Sequence, residues 1–183
     1  MKKTVCQIIT VLFASFLFSG CIKNDDKTNY LQVGGKTYDI ASVSIENYGP
    51  IDGTAYYMGL TLATSGITFD SGGHWQGTGT VIWFVLSCDV NDGISTGKYK
   101  TSFSSDPFTL LEGEYCLTWP TSSPASQCGL MDMSKTTVKV VRNGSNYTVS
   151  FSGKDFNSVS VLGNFTGPFT VYDFSSRKSG GSH

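Results

Sequence analysis

Apolar and polar residues alternate with a period of two along much of the chain, the spacing of a β-strand with one buried face. Tyr56, Met58, Leu60 and Leu62 alternate with Tyr57, Gly59, Thr61 and Ala63. Tyr147, Val149 and Phe151 alternate with Thr148, Ser150 and Ser152, and before them Val138 and Val140 flank Lys139. Between these two runs, Asn143-Gly144-Ser145-Asn146 is a strong hairpin turn. Gly153-Lys154-Asp155 then turns the chain into Phe156–Leu162, and Gly163-Asn164 leads to a last strand around Phe169–Phe174. Residues 136–174 therefore read as a four-stranded antiparallel meander.

Two stretches depart from simple alternation. From Tyr38 to Asn47 the apolar positions are Tyr38 and Ile40, then Val43 and Ile45. This shift from even to odd positions predicts a bulge or bend near Ala41-Ser42. The run Val81-Ile82-Trp83-Phe84-Val85-Leu86 is apolar on both faces, as in a central strand covered on both sides. Such a run could also line an apolar ligand cavity or offer a partner surface. Gly-rich segments such as Ser71-Gly72-Gly73 and Asp92-Gly93 punctuate the strands, and no repeat is visible.

No convincing helical period is present. The chain is rich in Gly, Ser, Thr and aromatics and poor in Ala, Leu, Glu and Lys, a balance that favours strands and tight turns. The predicted fold is all-β: an antiparallel β-sandwich or flattened barrel of about eight to ten strands, with a lipocalin-like closed barrel as the alternative.

The N-terminus has a different pattern. Lys2 and Lys3 precede the mostly apolar stretch Val5–Phe18, then the small residues Ser19 and Gly20, then Cys21. This is secretory signal organisation. The 14-residue apolar run is about 21 Å long as a helix, short of a membrane core of about 30 Å. The segment resembles a bacterial lipoprotein signal of the Bacteroidetes type, with Phe18 in place of the usual Leu three residues before the cysteine. The resemblance implies removal of residues 1–20 and lipidation of Cys21, here the new N-terminus. Multiple acyl chains anchor stably where one does not. The alternative is ordinary signal cleavage, leaving Cys21 as a free thiol.

Residues 21–29 read as a polar tether, 30–174 as a single β domain, and 175–183 as a frayed tail. Asp25-Asp26 resembles the acidic export signal of such lipoproteins, which implies an outer-membrane domain facing the cell exterior; a solvated linker is the plain alternative. The globular part has the look of small β-rich surface lipoproteins, without a diagnostic motif.

The part after residue 20 holds 163 residues, all 14 acidic side chains and 11 of the 13 basic ones, a net charge of −3. That is one ordinary domain. With no basic block, nucleic acid is a poor partner. Apart from Cys21, its cysteines are Cys88, Cys116 and Cys128. Cys116 and Cys128 flank a Ser- and Pro-rich loop in an oxidising compartment and are candidates for a disulfide. Pairing of Cys88 with either remains open, because sequence does not fix connectivity. Without a short Cys-x-x-Cys or a neighbouring His, zinc is disfavoured and no cofactor is expected.

Candidate chemistry is thin. The only histidines are His74, in a loop, and the terminal His183, and no nucleophile-elbow sequence accompanies them. Glu112 and Glu114 share one strand face at about 7 Å, within reach of a glycosidase pair, although i,i+2 carboxylates are common on strands. Asp89-Val90-Asn91-Asp92-Gly93 departs from a calcium loop and reads as a turn. Asn-x-Ser/Thr sequences at Asn143, Asn146 and Asn164 matter only on a eukaryotic secretory route. The remaining candidates are Trp75 and Trp119, in or beside loops with Tyr115 nearby, whose faces could stack on sugar rings; aromatics in β proteins are more often core.

Three functions follow. A lipid-anchored cell-envelope binding or accessory module would present loops to a glycan or protein. A pilus-type assembly subunit would offer Val81–Leu86 as a pairing edge. A hydrolase is weakest, because no catalytic constellation stands out.

Overall fold

The computed structural model describes residues 28–176 except 52, 71–73, 103 and 121–126. Cys21, the signal segment, Asp25-Asp26, His183 and most of the tail lie outside the described residues. Fourteen strands form within them: β1 Tyr30–Val33, β2 Lys36–Asp39, β3 Ser42–Pro50, β4 Tyr56–Ala63, β5 Ile67–Phe69, β6 Trp75–Gly77, β7 Gly79–Cys88, β8 Gly97–Lys100, β9 Thr109–Trp119, β10 Cys128–Leu130, β11 Thr137–Asn143, β12 Asn146–Lys154, β13 Ser160–Pro168 and β14 Thr170–Asp173. The only helix among the described residues is a 3-10 turn, Met133–Lys135.

The chain is all-β. Twelve strands make one mixed sheet in the order β14-β3-β4-β7-β9-β8-β11-β12-β13-β1-β2, with β10 beside β9. The sheet curls into a half-barrel. Its curvature is visible in the core: Leu31 on β1 and Ile45 on β3, near opposite ends of the path, are both fully buried in one cluster with Phe84, Leu86, Tyr99, Val138 and Val149. The described strands do not close the path, so the lipocalin-like closed barrel is not what forms.

The alternation at Tyr147, Val149 and Phe151 becomes β12, with those three side chains inward and Thr148, Ser150 and Ser152 outward. Asn143 pairs with Asn146, so Gly144 and Ser145 turn the hairpin, and Gly144 takes a φ of 62° there. The meander holds for β11, β12 and β13, but the expected fourth strand leaves it. Phe169 folds back, stacking on Tyr147 at 4.4 Å and meeting Phe165 at 5.7 Å. That turns the chain across to the far end of the sheet, where β14 pairs in parallel with β3. β1 takes the place beside β13. The sheet is therefore mixed rather than wholly antiparallel, with a second parallel contact at Lys100 and Thr109. The strand count exceeds ten because several strands span only three or four residues, too short to show a period.

The phase shift after Ile40 is a break between strands. β2 lies last on the path and β3 second, and Ile40-Ala41 alone spans the change. Ile40 N donates to Asn29 O at 3.2 Å and Ala41 N to Ala63 O at 2.9 Å, so the crossing keeps its backbone bonds. The apolar run Val81–Leu86 lies in β7, central between β4 and β9. Ile82, Phe84 and Leu86 face the main core. Val81 faces the other way into a smaller cluster with Ala63, Ile67 and Cys116.

Candidate functional site

That smaller cluster exists because the β5–β6 hairpin folds onto the outer face of β3, β4, β7 and β9. Its root is fixed by backbone bonds, Thr64 N to Thr80 O at 3.0 Å continuing the β4–β7 ladder and Thr78 N to Gly66 O at 3.0 Å closing the two arms of the hairpin on each other. Gly66 permits the approach: a Cβ there would lie 1.9 Å from the Thr78 carbonyl oxygen. Ile67, Phe69 and Trp75 form the apolar underside.

Beside the hairpin lies an open cleft of about 410 Å³, walled by Trp75, Trp83, Trp119, Phe69 and Tyr48. Trp75 stands edge-on to Trp119, centroids 5.0 Å apart at 76°, and to Trp83 at 6.3 Å and 75°. All three indoles are half-buried. Such edge-to-face packing fixes the rings while leaving part of each face open. Val81 and Cys116 form the floor, and Glu114 and His74 supply the polar rim. On the hairpin's other side a second cavity, about 300 Å³, shares Phe69 and Trp75 and adds the hydroxyls of Ser44, Thr61 and Tyr172. The Trp75 Nε1–H, sealed from solvent between these spaces, has no hydrogen-bond partner among the described residues.

Beneath the aromatic wall lies Glu46, 1% exposed on the outer face of β3. Ser44 Oγ donates to its Oε1, and Thr61 Oγ1 donates to its Oε2 at 3.3 Å. Burial pushes its carboxyl up to about 7, against the opposing pull of those two hydroxyls. Tyr48, at the cleft wall, is pushed up to about 12 by burial and by the Glu46 charge.

The structure thus brings Trp75 and Trp119 into one cleft. Trp83 joins them, although its sequence context pointed to a covered strand. Its odd position, opposite Glu114 rather than opposite a core residue, is the signal that separates it from Ile82 and Phe84. Glu112 and Glu114 share the outer face of β9, and only Glu114 reaches the cleft. His74 Nδ1 lies 3.4 Å from Asp70 Oδ1 on the exposed hairpin. Asp70 also accepts from the His74 backbone N–H and from Gln76, so the pair is tied into the loop. No hydroxyl bonds to the His74 ring among the described residues.

Cys116 and Cys128 face each other across β9 and β10 and are joined by a disulfide. Glu114 lies close to both sulfurs, but sulfurs bonded to each other are not thiolate ligands. Cys88 is a free, buried thiol 3.4 Å from the Tyr99 hydroxyl, and burial pushes it up to about 11. In the Asp89–Gly93 turn, Asp89 accepts from Ser95, and Asp92 is gripped by both guanidinium nitrogens of Arg142 at 3.1 and 3.2 Å. These carboxylates close the turn.

Comparison with protein-family models, with curated proteins and with solved structures finds no match.

Proposed function

We propose that the chain is a cell-envelope binding module, tethered through a lipid on Cys21, that takes a sugar ring of a glycan in the Trp75–Trp83–Trp119 cleft. The observation that carries this reading is the cleft itself. Three fixed, half-exposed indoles meet in a concavity of about 410 Å³, within the usual size of a small-ligand site, with a carboxylate at its rim. Aromatic faces bury the apolar C–H faces of a pyranose, and Glu114 accepts hydrogen bonds from its hydroxyls. An assembly role through residues 81–86 has less support, because both edges of β7 are already paired.

A glycan-array screen of the chain from residue 21, made soluble by Cys21→Ser, tests this beside Trp75→Ala and Trp119→Ala. Retention of at least one glycan by the parent and loss by both variants is expected. A parent that retains nothing on the array sinks the proposal. Membrane fractionation of full-length Cys21→Ser tests the anchor separately: the domain should leave the membrane fraction while keeping its fold.

A further inference from the structure

The outer face of the opposite half of the sheet carries a second feature, independent of the aromatic cleft. Strand register places Lys98, Lys139, Ser150, Asn164 and Tyr30 side by side on β8, β11, β12, β13 and β1. Each points away from the core, whose residues occupy the alternate positions Tyr99, Val138, Val140, Val149 and Phe151. At about 4.8 Å between strands, the row runs about 19 Å straight across the sheet. It lies in a shallow trough of about 930 Å³.

The charges along this row are not balanced locally. Lys98 and Lys139 are directly opposite each other, and Lys100 stands two residues along β8. Like charges placed directly across a strand pair are destabilising. None of the three makes an ion pair among the described residues. In contrast, Arg142 on the same β11 strand is matched by Asp92. Glu46, Asp70, Glu112, Glu114 and Asp173 belong to the strands and hairpin of the other half, while on this half Asp39 stands opposite Tyr30, beyond the far end of the row from the lysines. A chain of net negative charge has therefore collected an unpaired cationic strip on one wall.

We propose that this trough binds an anionic polysaccharide, with its carboxylate or sulfate groups over Lys98, Lys139 and Lys100. Its hydroxyls meet Ser150 and Asn164, and one ring lies against Tyr30. Charge complementarity selects the anion. The trough's concavity and its short hydroxyl and amide side chains suit a slender, hydroxyl-bearing polymer, whereas a flat bilayer cannot follow the hollow and meets no protruding aromatic wedge there.

Calorimetric titration of the Cys21→Ser chain from residue 21 with polygalacturonate and dextran sulfate, against neutral dextran, tests the assignment. Binding of at least one anionic polymer is expected, weakening as salt is raised, with dextran weaker by about ten-fold or more. Lys98→Gln/Lys139→Gln should weaken that binding by about ten-fold and flatten its salt dependence. Lys139→Glu should abolish it, and Trp75→Ala should leave it unchanged. Both lysines are exposed, and their replacement relieves a cross-strand repulsion, so melting temperatures of the variants should equal or slightly exceed that of the parent. Failure to bind either anionic polymer, or unchanged binding by the double variant, overturns the proposal. So does stronger binding to mixed phosphatidylglycerol–phosphatidylcholine vesicles than to either polymer. Because Trp75 lies outside the trough, loss of glycan binding in the cleft and loss of polyanion binding here are separable results.

Discussion

The Glu46 carboxylate lies over Gly59, its cross-strand partner: a Cβ at Gly59 would stand 2.3 Å from Glu46 Oε2 and 3.2 Å from Glu46 Cβ. The missing side chain on β4 is the space that lets a carboxyl sit flat beneath the aromatic wall. Gly59→Ala should therefore destabilise the fold by about 1–3 kcal/mol, the usual cost of overpacking. Urea titration checks this. A variant as stable as the parent would show that the carboxyl can swing aside freely.

Glu46 also predicts how stability depends on pH. Its folded carboxyl, raised by burial to about 7, exceeds the ordinary value of 4.5. Between these values the folded protein holds a proton that the unfolded chain releases. The Glu46 contribution is thus fully present below pH 4.5, is lost as pH rises through about 7, and amounts to at most about 3 kcal/mol. Denaturant melts from pH 4.5 to 8 should show this loss, and Glu46→Gln should remove it. A parent and variant with parallel pH curves would refute the assignment.

Trp75 carries a sealed indole N–H with no acceptor among the described residues. An unmade buried hydrogen bond costs about 1–3 kcal/mol. Trp75→Phe removes that donor but leaves a smaller ring. The two effects oppose each other, so the free protein should lose less than the 3–5 kcal/mol typical of aromatic truncation to Ala. Paired thermal melts of Trp75→Phe and Trp75→Ala make the comparison. Equal losses in both would mean that packing alone decides this site.

The Cys116–Cys128 bridge ties β10 to β9 directly behind the cleft floor. Closing a 12-residue separation contributes about 3 kcal/mol in the chain-entropy model. Cys116→Ser/Cys128→Ser should lower the urea midpoint accordingly and weaken any ligand of the cleft. The fold itself should persist, because the main core lies on the other face of β9.

Tyr115 makes a comparable tie inside the core: its hydroxyl donates to Asp155 Oδ2 at 2.8 Å, and Asp155 Oδ1 accepts from Val159 N at 2.8 Å. Tyr115→Phe leaves a buried carboxylate oxygen with one donor fewer and should cost about 1–3 kcal/mol. A smaller loss, measured by the same denaturant method, would mean water replaces the hydroxyl.

The longer strands could be read from the chain because alternation over several residues and a two-residue turn are local signals. β4, β7 and β12 and the Gly144-Ser145 turn are of this kind. The three-residue strands β5, β6 and β10 are too short to show a period. β14 gave an apolar signal but not its partner, since pairing with β3 is decided by distant contacts. The same limit applied at the cleft. Trp75 and Trp119 were visible as aromatics near loops, but their meeting with Trp83 depends on a hairpin folding onto a sheet. Glu46 carries no local signal in β3, because its burial comes from Tyr48 and the groups packed above it.

Both flanks of the sheet are finished by the end of the chain. β1 needs Val161–Asn164 as its neighbour, and β3 needs Thr170–Asp173. A polypeptide that emerges N-terminus first can form the β1–β2 and β3–β4 hairpins early, yet each keeps a bare edge until the last strands arrive. Such long-range closure slows folding. A chain with this strand order stays incompletely folded until its last strands have formed, and premature termination before residue 160 leaves edges of β1, β3 and β12 open and ready to pair with other chains.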